Sequence, residues 1–423
     1  MQPLSPLLPC AVAAVVALFF VPNLHDPFLS DDYILVSHIR LSWPELISFF
    51  TSPGGDGSFR PVGYLYRAVI GEWAGLVAWR WHLSGLLLHL VNCALVYALT
   101  FTLWSSRTVS IVGALTFGLH GTRPEVVTWT AGNFDALACC FSMAFLTCSL
   151  HPFLRRRPVA SCVLVVFFLT LAVWSKESAY AAPLMLAAFA WSRDDLRGTL
   201  RLPSTACCAL ACAALIAHRL LLFGGPGGYV DPNTGRPAIL SLSLLGSAKA
   251  LLLRLWAVLL FPVNWDGGDG FPLAICAGLC GATAVVLALS AYWAPRRVCT
   301  GMIFATGCAL LPALHRALIG QSELGSRILY LPSVGFCVLC GHCVAARKSR
   351  LTRLITASLL VASAATALTY NLRVWHQAAV LADQFCSEVA AGGGTAETAK
   401  APGVVRGVFF FANGLSDCVS MKK

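Results

Sequence analysis

The chain has 423 residues, of which 57% are hydrophobic and only 12% charged, and its mean hydropathy is +0.74. Soluble domains carry about 25% charged residues, so this supply excludes a water-exposed globular surface. The net charge of +11 does not point to nucleic acid either, because the basic residues sit in small clusters between apolar runs instead of one patch interleaved with aromatics.

Apolar runs recur along the chain, each roughly long enough to cross a ~30 Å hydrocarbon core as a helix. Nothing alternates with period two, and backbone groups in lipid must be satisfied internally, so the expected fold is all-α, a polytopic transmembrane helical bundle. In chain order the spans fall near 8–24, 80–104, 108–120, 130–150, 158–175, 178–192, 203–223, 271–294, 298–318, 329–346 and 351–370. The first lacks a basic region before it and reads as a retained span, not a cleaved signal. Between spans lie Arg155-Arg156-Arg157, Arg193/Arg197/Arg201, Arg296-Arg297 and Arg347/Lys348/Arg350/Arg353, the pattern that keeps such loops cytoplasmic. Alternation places every cluster inside only if 238–262 is an interfacial or re-entrant helix, with Lys249 and Arg254 on its wet side, and not a twelfth crossing. About eleven crossings follow, with a cytoplasmic N-terminus and an exoplasmic C-terminus.

The transmembrane unit is drawn at 1–375. Its long first exoplasmic loop, 25–79, holds two short surface helices: one capped by Ser42 with Pro44 and Glu45 in its first turn, ending before Pro53, and one starting at Pro61. Residues 376–423 form a short exoplasmic tail, running through a flexible linker at 391–403 into an apolar patch with no evident chemistry. Most of the 18 cysteines lie in apolar runs and read as small hydrophobes. Cys386 and Cys418 would share an oxidising compartment, where pairing is one option.

Charges near or inside spans are costly, so each asks for a reason. Asp31 and Asp32 follow the first span; Arg60 precedes Pro61; His120, Arg123 and Glu125 lie in "LHGTRPEVVTW", followed by Asn133 and Asp135; Lys176 and Glu177 form "SKES"; Arg327 lies in "GSRILYLPS". In the threaded topology all face the exoplasmic side. Such a set suits group transfer from an amphiphilic phosphate donor, with an aspartate as general base and cations holding the departing phosphate. Blander roles stand beside these. The acidic pair is equally a solvated loop entrance, Lys176–Glu177 a structural ion pair at a tight turn, and His82, His89 and Asn92 a set of interhelical hydrogen bonds. A metal at His25, Asp26, Asp31 and Asp32 is possible but not expected from so nonspecific a spacing.

The ordered pieces resemble the GT-C superfamily of membrane glycosyltransferases, and within it the protein O-mannosyltransferase and related transmembrane mannosyltransferase group. They are the acidic pair Asp31-Asp32, "FRPVGYLY", "WHLSGLLLHLVNCALVY", "HGTRPEVVTWTAGNFDALA", "WSKESAYAAPLML", "SRILYLPSVGF" and "NLRVWHQA". The resemblance implies inverting transfer of mannose or a similar hexose from a polyprenyl phosphate to an acceptor hydroxyl on a glycan, lipid or protein. Asp31, and less directly Asp32, would be the base. Arg60, Arg123, Lys176 and Arg327, with His120 grouped beside them, would serve the phosphate, and Glu125 and Glu177 would be their partners. No resident cofactor or metal is implied, and a bacterial inner membrane with a periplasmic site is the expected setting. Two features depart from the group. Gly121 follows His120 where relatives carry "HP-x-x-E", and no ~34-residue tetratricopeptide repeat occurs in these residues. A multi-span transporter or flippase, or a non-catalytic assembly partner, is the alternative reading.

Overall fold

The computed structural model describes residues 7–37, 42–54, 57–228, 230, 235, 237–238, 243–268, 270–316, 319–392, 399–411 and 413–422. The described chain is an all-α bundle. In order, its helices are α1 (Leu7–Phe20), α2 (Asp32–Ser37), α3 (Trp43–Thr51), α4 (Pro61–Ala74), α5 (Ala78–Trp104), α6 (Arg107–Leu119), α7 (Pro124–Val127), α8 (Asn133–Leu150), α9 (Pro152–Arg155), α10 (Pro158–Ser175), α11 (Ala182–Trp191) and α12 (Pro203–Phe223). There follow α13 (Leu244–Lys249), α14 (Leu255–Leu260), α15 (Gly270–Ala291), α16 (Arg296–Leu310), α17 (Ser333–Ala345), α18 (Arg350–Ala391) and α19 (Leu415–Lys422). A two-residue hairpin, β1 (Val404–Val405) and β2 (Val408–Phe409), precedes the last helix.

Every expected span coincides with a helix. Among the described residues seven helices are long and apolar enough to cross a membrane, and α1, α6 and α17 are shorter apolar helices. Small residues let these helices approach closely. At Gly341 on α17 a Cβ would lie 2.6 Å from the Val109 carbonyl oxygen of α6, so only glycine permits that crossing. The polar residues of α5 hydrogen-bond to neighbouring helices and loops, in line with the role expected of them. His89 meets the Tyr330 hydroxyl at 2.6 Å and the Gly118 carbonyl at 3.0 Å, Asn92 donates to the Ala136 carbonyl at 2.9 Å, and His82 meets the Leu24 carbonyl at 3.1 Å.

The basic clusters gather at one end of the bundle. Arg297 pairs with Asp194 beside the Arg193 cluster, Arg155 donates to the Asp195 carbonyl at 3.4 Å, and the Lys348 ammonium lies 5.3 Å from the Trp293 ring. At the first loop Ser42 caps α3 as expected, accepting from the Glu45 amide at 3.4 Å, and Trp43 and Ile47 are exposed on it. The 238–262 segment contributes α13 and α14, joined by a π-helical turn; its first residues lie partly outside the described set.

Two expectations about the C-terminal part change. The helix expected at 351–370 runs for 42 residues, about 63 Å at 1.5 Å per residue, twice the ~30 Å core. The boundary drawn at 375 therefore falls inside α18. Beyond it, residues 393–398 of the expected linker lie outside the described set, but 399–411 and 413–422 fold back onto the bundle. The tail is bound there by a disulfide between Cys386 of α18 and Cys418 of α19, with Cα atoms 6.0 Å apart.

Candidate functional site

A cavity of about 770 Å³ opens among α2, α4, α8, α12 and the segments 176–180 and 311–315. Asp31, Arg60, Asp135, Lys176, Glu177 and Arg327 all line it, so six of the eleven polar residues singled out from sequence converge on one cavity. Apolar side chains of α12 and 311–313 (Ile216, Leu220, Leu311, Pro312) line it as well, and Ile216, Arg219 and Leu220 share one helical face by their spacing.

The break between α10 and α11 explains how two adjacent charges serve different partners. Lys176 has extended backbone (φ −164°, ψ 148°), which sends successive side chains to opposite sides. Lys176 Nζ accordingly donates to Asp135 Oδ2 on α8. Glu177 turns the other way and accepts from Arg60 Nε at 3.0 Å and Nη2 at 2.9 Å, both on Oε2, while Arg219 Nη1 reaches Oε1 at 3.4 Å. The two residues are not an ion pair with each other. Burial lowers the Lys176 ammonium to about 8, with Asp135 opposing and Arg327 and Arg60 adding to the shift. Burial alone would raise the Glu177 carboxyl, but Arg60 and Arg219 outweigh it and bring it down to about 2.

Arg327 is placed by Glu125, which lies behind the wall. Glu125 Oε1 accepts from the Gly325 amide at 3.0 Å and Arg327 Nη1 at 2.6 Å, and Oε2 accepts from Ser326 Oγ at 3.0 Å and the Arg327 amide at 2.8 Å. Gly325 has φ +85°, a conformation glycine adopts without strain. The Arg327 guanidinium then lies 4.7 Å from the Trp129 ring.

The acidic pair divides. Asp31 is half-buried and faces the cavity. Its Oδ1 accepts from Ser30 Oγ at 3.4 Å and Asn413 Nδ2 at 3.1 Å, and Oδ2 carries no hydrogen bond among the described residues. Asp32 is fully buried and faces away from it. Its Oδ1 accepts from the Thr130 amide at 2.9 Å and hydroxyl at 2.5 Å, and Oδ2 from the Leu29 amide at 3.3 Å. Burial pushes that carboxyl up to about 7 against the lowering by Thr130, the Leu29 amide and Arg67. Asp32 is thus a buried fastening between the first loop and the segment before α8.

His120 and Arg123 also lie off the cavity. His120 meets the Leu259 carbonyl at 3.1 Å and Thr122 Oγ1 at 2.9 Å. Arg123 is clamped between the Phe117 and Tyr330 rings (4.5 and 4.7 Å) and donates to the Phe117 carbonyl at 2.7 Å and Ser333 Oγ at 2.6 Å. It ties α6 to α17 and does not line the cavity. The departure at Gly121 has a steric cause, since a Cβ there would fall 2.0 Å from the Pro262 carbonyl oxygen.

Arg219 was not among the residues expected from sequence, although a single arginine near the end of an apolar span is itself a signal. Asn413 gave no sequence signal. The four residues considered for a metal are dispersed: Asp26 is engaged by His376 at 2.7 Å and Asn23 at 2.8 Å. Among the described residues no three His, Cys, Asp or Glu side chains form a metal-binding group, and Cys337, Cys340 and Cys343 on α17 are buried free thiols.

No protein-family profile and no solved structure matches the chain. It is similar to Protein O-mannosyl-transferase Tmtc1 of Drosophila melanogaster, 29% identical over 133 residues, covering 31% of this chain and 15% of the relative. It is also similar to Protein O-mannosyl-transferase TMTC1 of Mus musculus, 29% identical over 164 residues, covering 34% of this chain and 17% of the relative. The chain thus spans less than a fifth of the length of the curated relatives it matches.

Proposed function

We propose that this integral membrane protein is a glycosyltransferase of the GT-C type that moves mannose or a similar hexose, with inversion, from a polyprenyl phosphate to an acceptor hydroxyl. The observation that carries the reading is one cavity lined by Asp31, by the cations Arg60, Lys176, Arg219 and Arg327, and by apolar side chains. The distant similarity to two protein O-mannosyltransferases supports the same class.

In this reading Asp31 Oδ2 takes the proton of the acceptor hydroxyl as its oxygen attacks the anomeric carbon. The bond from that carbon to the phosphate oxygen breaks, and the electron pair leaves with polyprenyl phosphate. The guanidinium and ammonium groups stabilise the charge that builds on the leaving phosphate, and arginine offers a planar fork for it. Glu177, Asp135 and Glu125 hold the cations in place before the donor arrives. Asp32, His120 and Arg123 act on the frame and touch neither substrate. The apolar part of the wall receives the first isoprene units. The acceptor is a glycan, lipid or protein hydroxyl.

The cations already supply the charge that a monophosphate leaving group needs, so the reaction is taken as metal-independent, which an assay in chelator checks. Both relatives are animal proteins, so the proposal keeps the non-cytoplasmic face and does not retain a bacterial inner membrane.

The test is transfer of label from purified polyprenyl-phosphate mannose, and separately glucose, to a membrane-extract acceptor pool. New labelled product that disappears in Asp31→Asn supports the enzyme. Movement of intact donor across proteoliposomes without product would favour a flippase instead.

A further inference from the structure

The segment after α18 was expected to be an inert tail, yet it is bolted to the loop that carries Asp31. Gly414, at φ +85°, packs so closely on Ser30 that a Cβ there would lie 2.5 Å from the Ser30 carbonyl oxygen. Ser30 is itself in the left-handed region at φ +53°, a conformation that costs a non-glycine residue energy and persists only when neighbours hold it. Next to this contact Asn413 Nδ2 donates to Asp31 Oδ1 at 3.1 Å. Further along, Phe411 stacks on Tyr33 at 6.2 Å and Ser37 Oγ donates to Asp417 at 2.9 Å.

The same segment reaches the cation side. Phe409 stacks on Trp129 at 5.2 Å, and the Arg327 guanidinium lies 4.7 Å from Trp129 and 5.9 Å from Phe409. Gly407 packs against Asn264, whose amide donates to the Arg406 carbonyl at 3.0 Å. Two anchors fix the segment to α18: the Cys386–Cys418 disulfide and the Lys422–Asp383 ion pair at 2.7 Å.

We infer that residues 401–411 and 413–422 form a disulfide-anchored cap completing the site, with Asn413 as a positioning residue that holds Asp31 Oδ1 so that Oδ2 faces the cavity. The inference deepens the glycosyltransferase reading and rests on it for the role of Asp31; the cap itself does not. A carboxylate fixed through one oxygen has the other oriented toward the incoming hydroxyl, whereas an untethered one rotates about χ2. The cystine removes chain entropy from the open state, so the cap stays seated only where the disulfide forms, in an oxidising compartment.

Two measurements on the full-length protein in detergent separate the cap from the chemistry. The first is amide hydrogen exchange with non-reducing peptide mapping. A Cys386–Cys418 cross-linked peptide is expected, and in Cys386→Ser/Cys418→Ser exchange should rise about tenfold or more in both 404–411 and 29–37. Absence of the cross-link, or unchanged exchange in 29–37, overturns the cap whether or not the protein transfers sugar.

The second is transfer kinetics with polyprenyl-phosphate mannose. Asn413→Ala should lower kcat about tenfold with little change in donor KM, and Asn413→Gln should recover part of the loss. Unchanged kcat in Asn413→Ala overturns its positioning role. A rise in KM matching the fall in kcat, with no recovery in Asn413→Gln, does the same, because it marks collapse of the cavity. If the wild-type protein consumes no donor while the exchange result holds, the enzyme reading fails and the cap stands.

Discussion

Replacing Glu125 by glutamine tests whether one buried carboxylate places Arg327. The acceptor has two donors on each oxygen: the Gly325 amide and Arg327 Nη1 on Oε1, Ser326 Oγ and the Arg327 amide on Oε2. A glutamine must put its NH2 on one side. On the Oε1 side it faces the Gly325 amide and the guanidinium, and nothing there can turn round to accept. On the Oε2 side the Ser326 hydroxyl rotates to accept, but the Arg327 backbone N–H is left facing another donor. The second orientation is the cheaper, and it still orphans one buried amide at about 1–3 kcal/mol. Losing the charge opposite Arg327 adds to this, within the 3–5 kcal/mol range for breaking a buried pair. A local loss of about 3 kcal/mol corresponds to an opening equilibrium about 100-fold more favourable. Amide hydrogen exchange at residues 323–330 should therefore accelerate about 100-fold in Glu125→Gln, and affinity for the lipid-phosphate donor should fall about tenfold as Arg327 moves. Exchange within about threefold of wild type at 323–330 would refute the reasoning, since the four bonds would then not be what holds the segment.

The acidic pair should separate by experiment: Asp31→Asn abolishes transfer with an unchanged melting temperature, while Asp32→Asn loses about 1–3 kcal/mol of stability by facing an amide NH2 toward the Leu29 or Thr130 N–H and retains measurable transfer; thermal unfolding followed by fluorescence decides. Burial sets the Lys176 ammonium at about 8, so it is charged below that pH and neutral above it, and kcat/KM for the donor should fall as pH rises through about 8. Lys176→Arg should flatten that limb, because a guanidinium stays charged; an unmoved limb in this variant removes Lys176 from the phosphate site. Gly121→Pro, the residue of the resembled group, should lower stability by about 1–3 kcal/mol through its contact with the Pro262 carbonyl, and a melting temperature at or above wild type would contradict this. Cysteines introduced at the exposed Ser416 and Lys348 should label from opposite sides of sealed vesicles with an impermeant maleimide, and labelling from one side would overturn the orientation.

What sequence showed and hid follows from the range of each signal. A charge in an apolar chain stands out against its immediate neighbours, which is why Arg60, Lys176, Glu177 and Arg327 were visible and converge. Capping is equally local, and Ser42 behaves as its spacing to Glu45 implies. Roles that depend on the third dimension were hidden. Asp31 and Asp32 look equivalent in sequence, and only the turn at Ser30 and the contact with Thr130 decide which enters the cavity. Arg123 resembles its neighbours in type, yet the Phe117 and Tyr330 rings sequester it between helices. The bond from Asn413 to Asp31 spans 382 positions, and nothing local to Asn413 announces it. The length of α18 was missed because its second half is polar enough to leave the membrane and so looks like a tail.

Two unrelated features bear on the direction in which the cavity faces. The four basic clusters meet at one end through contacts such as Arg297–Asp194 and Arg155–Asp195, and clustered lysine and arginine mark a cytoplasmic end by the insertion rule. The cystine sits on the cap over the cavity, some 36 residues along α18 from its start at Arg350 beside the Arg347 cluster, or about 54 Å at the helical rise. That distance exceeds the hydrocarbon thickness, so the clusters and the cystine cannot share one membrane face while α18 runs across. Cystines persist on the oxidising side. Charge and redox chemistry, acting through different residues, therefore both support the proposed non-cytoplasmic placement of the cavity, where a lipid-linked sugar and its acceptor would have to meet.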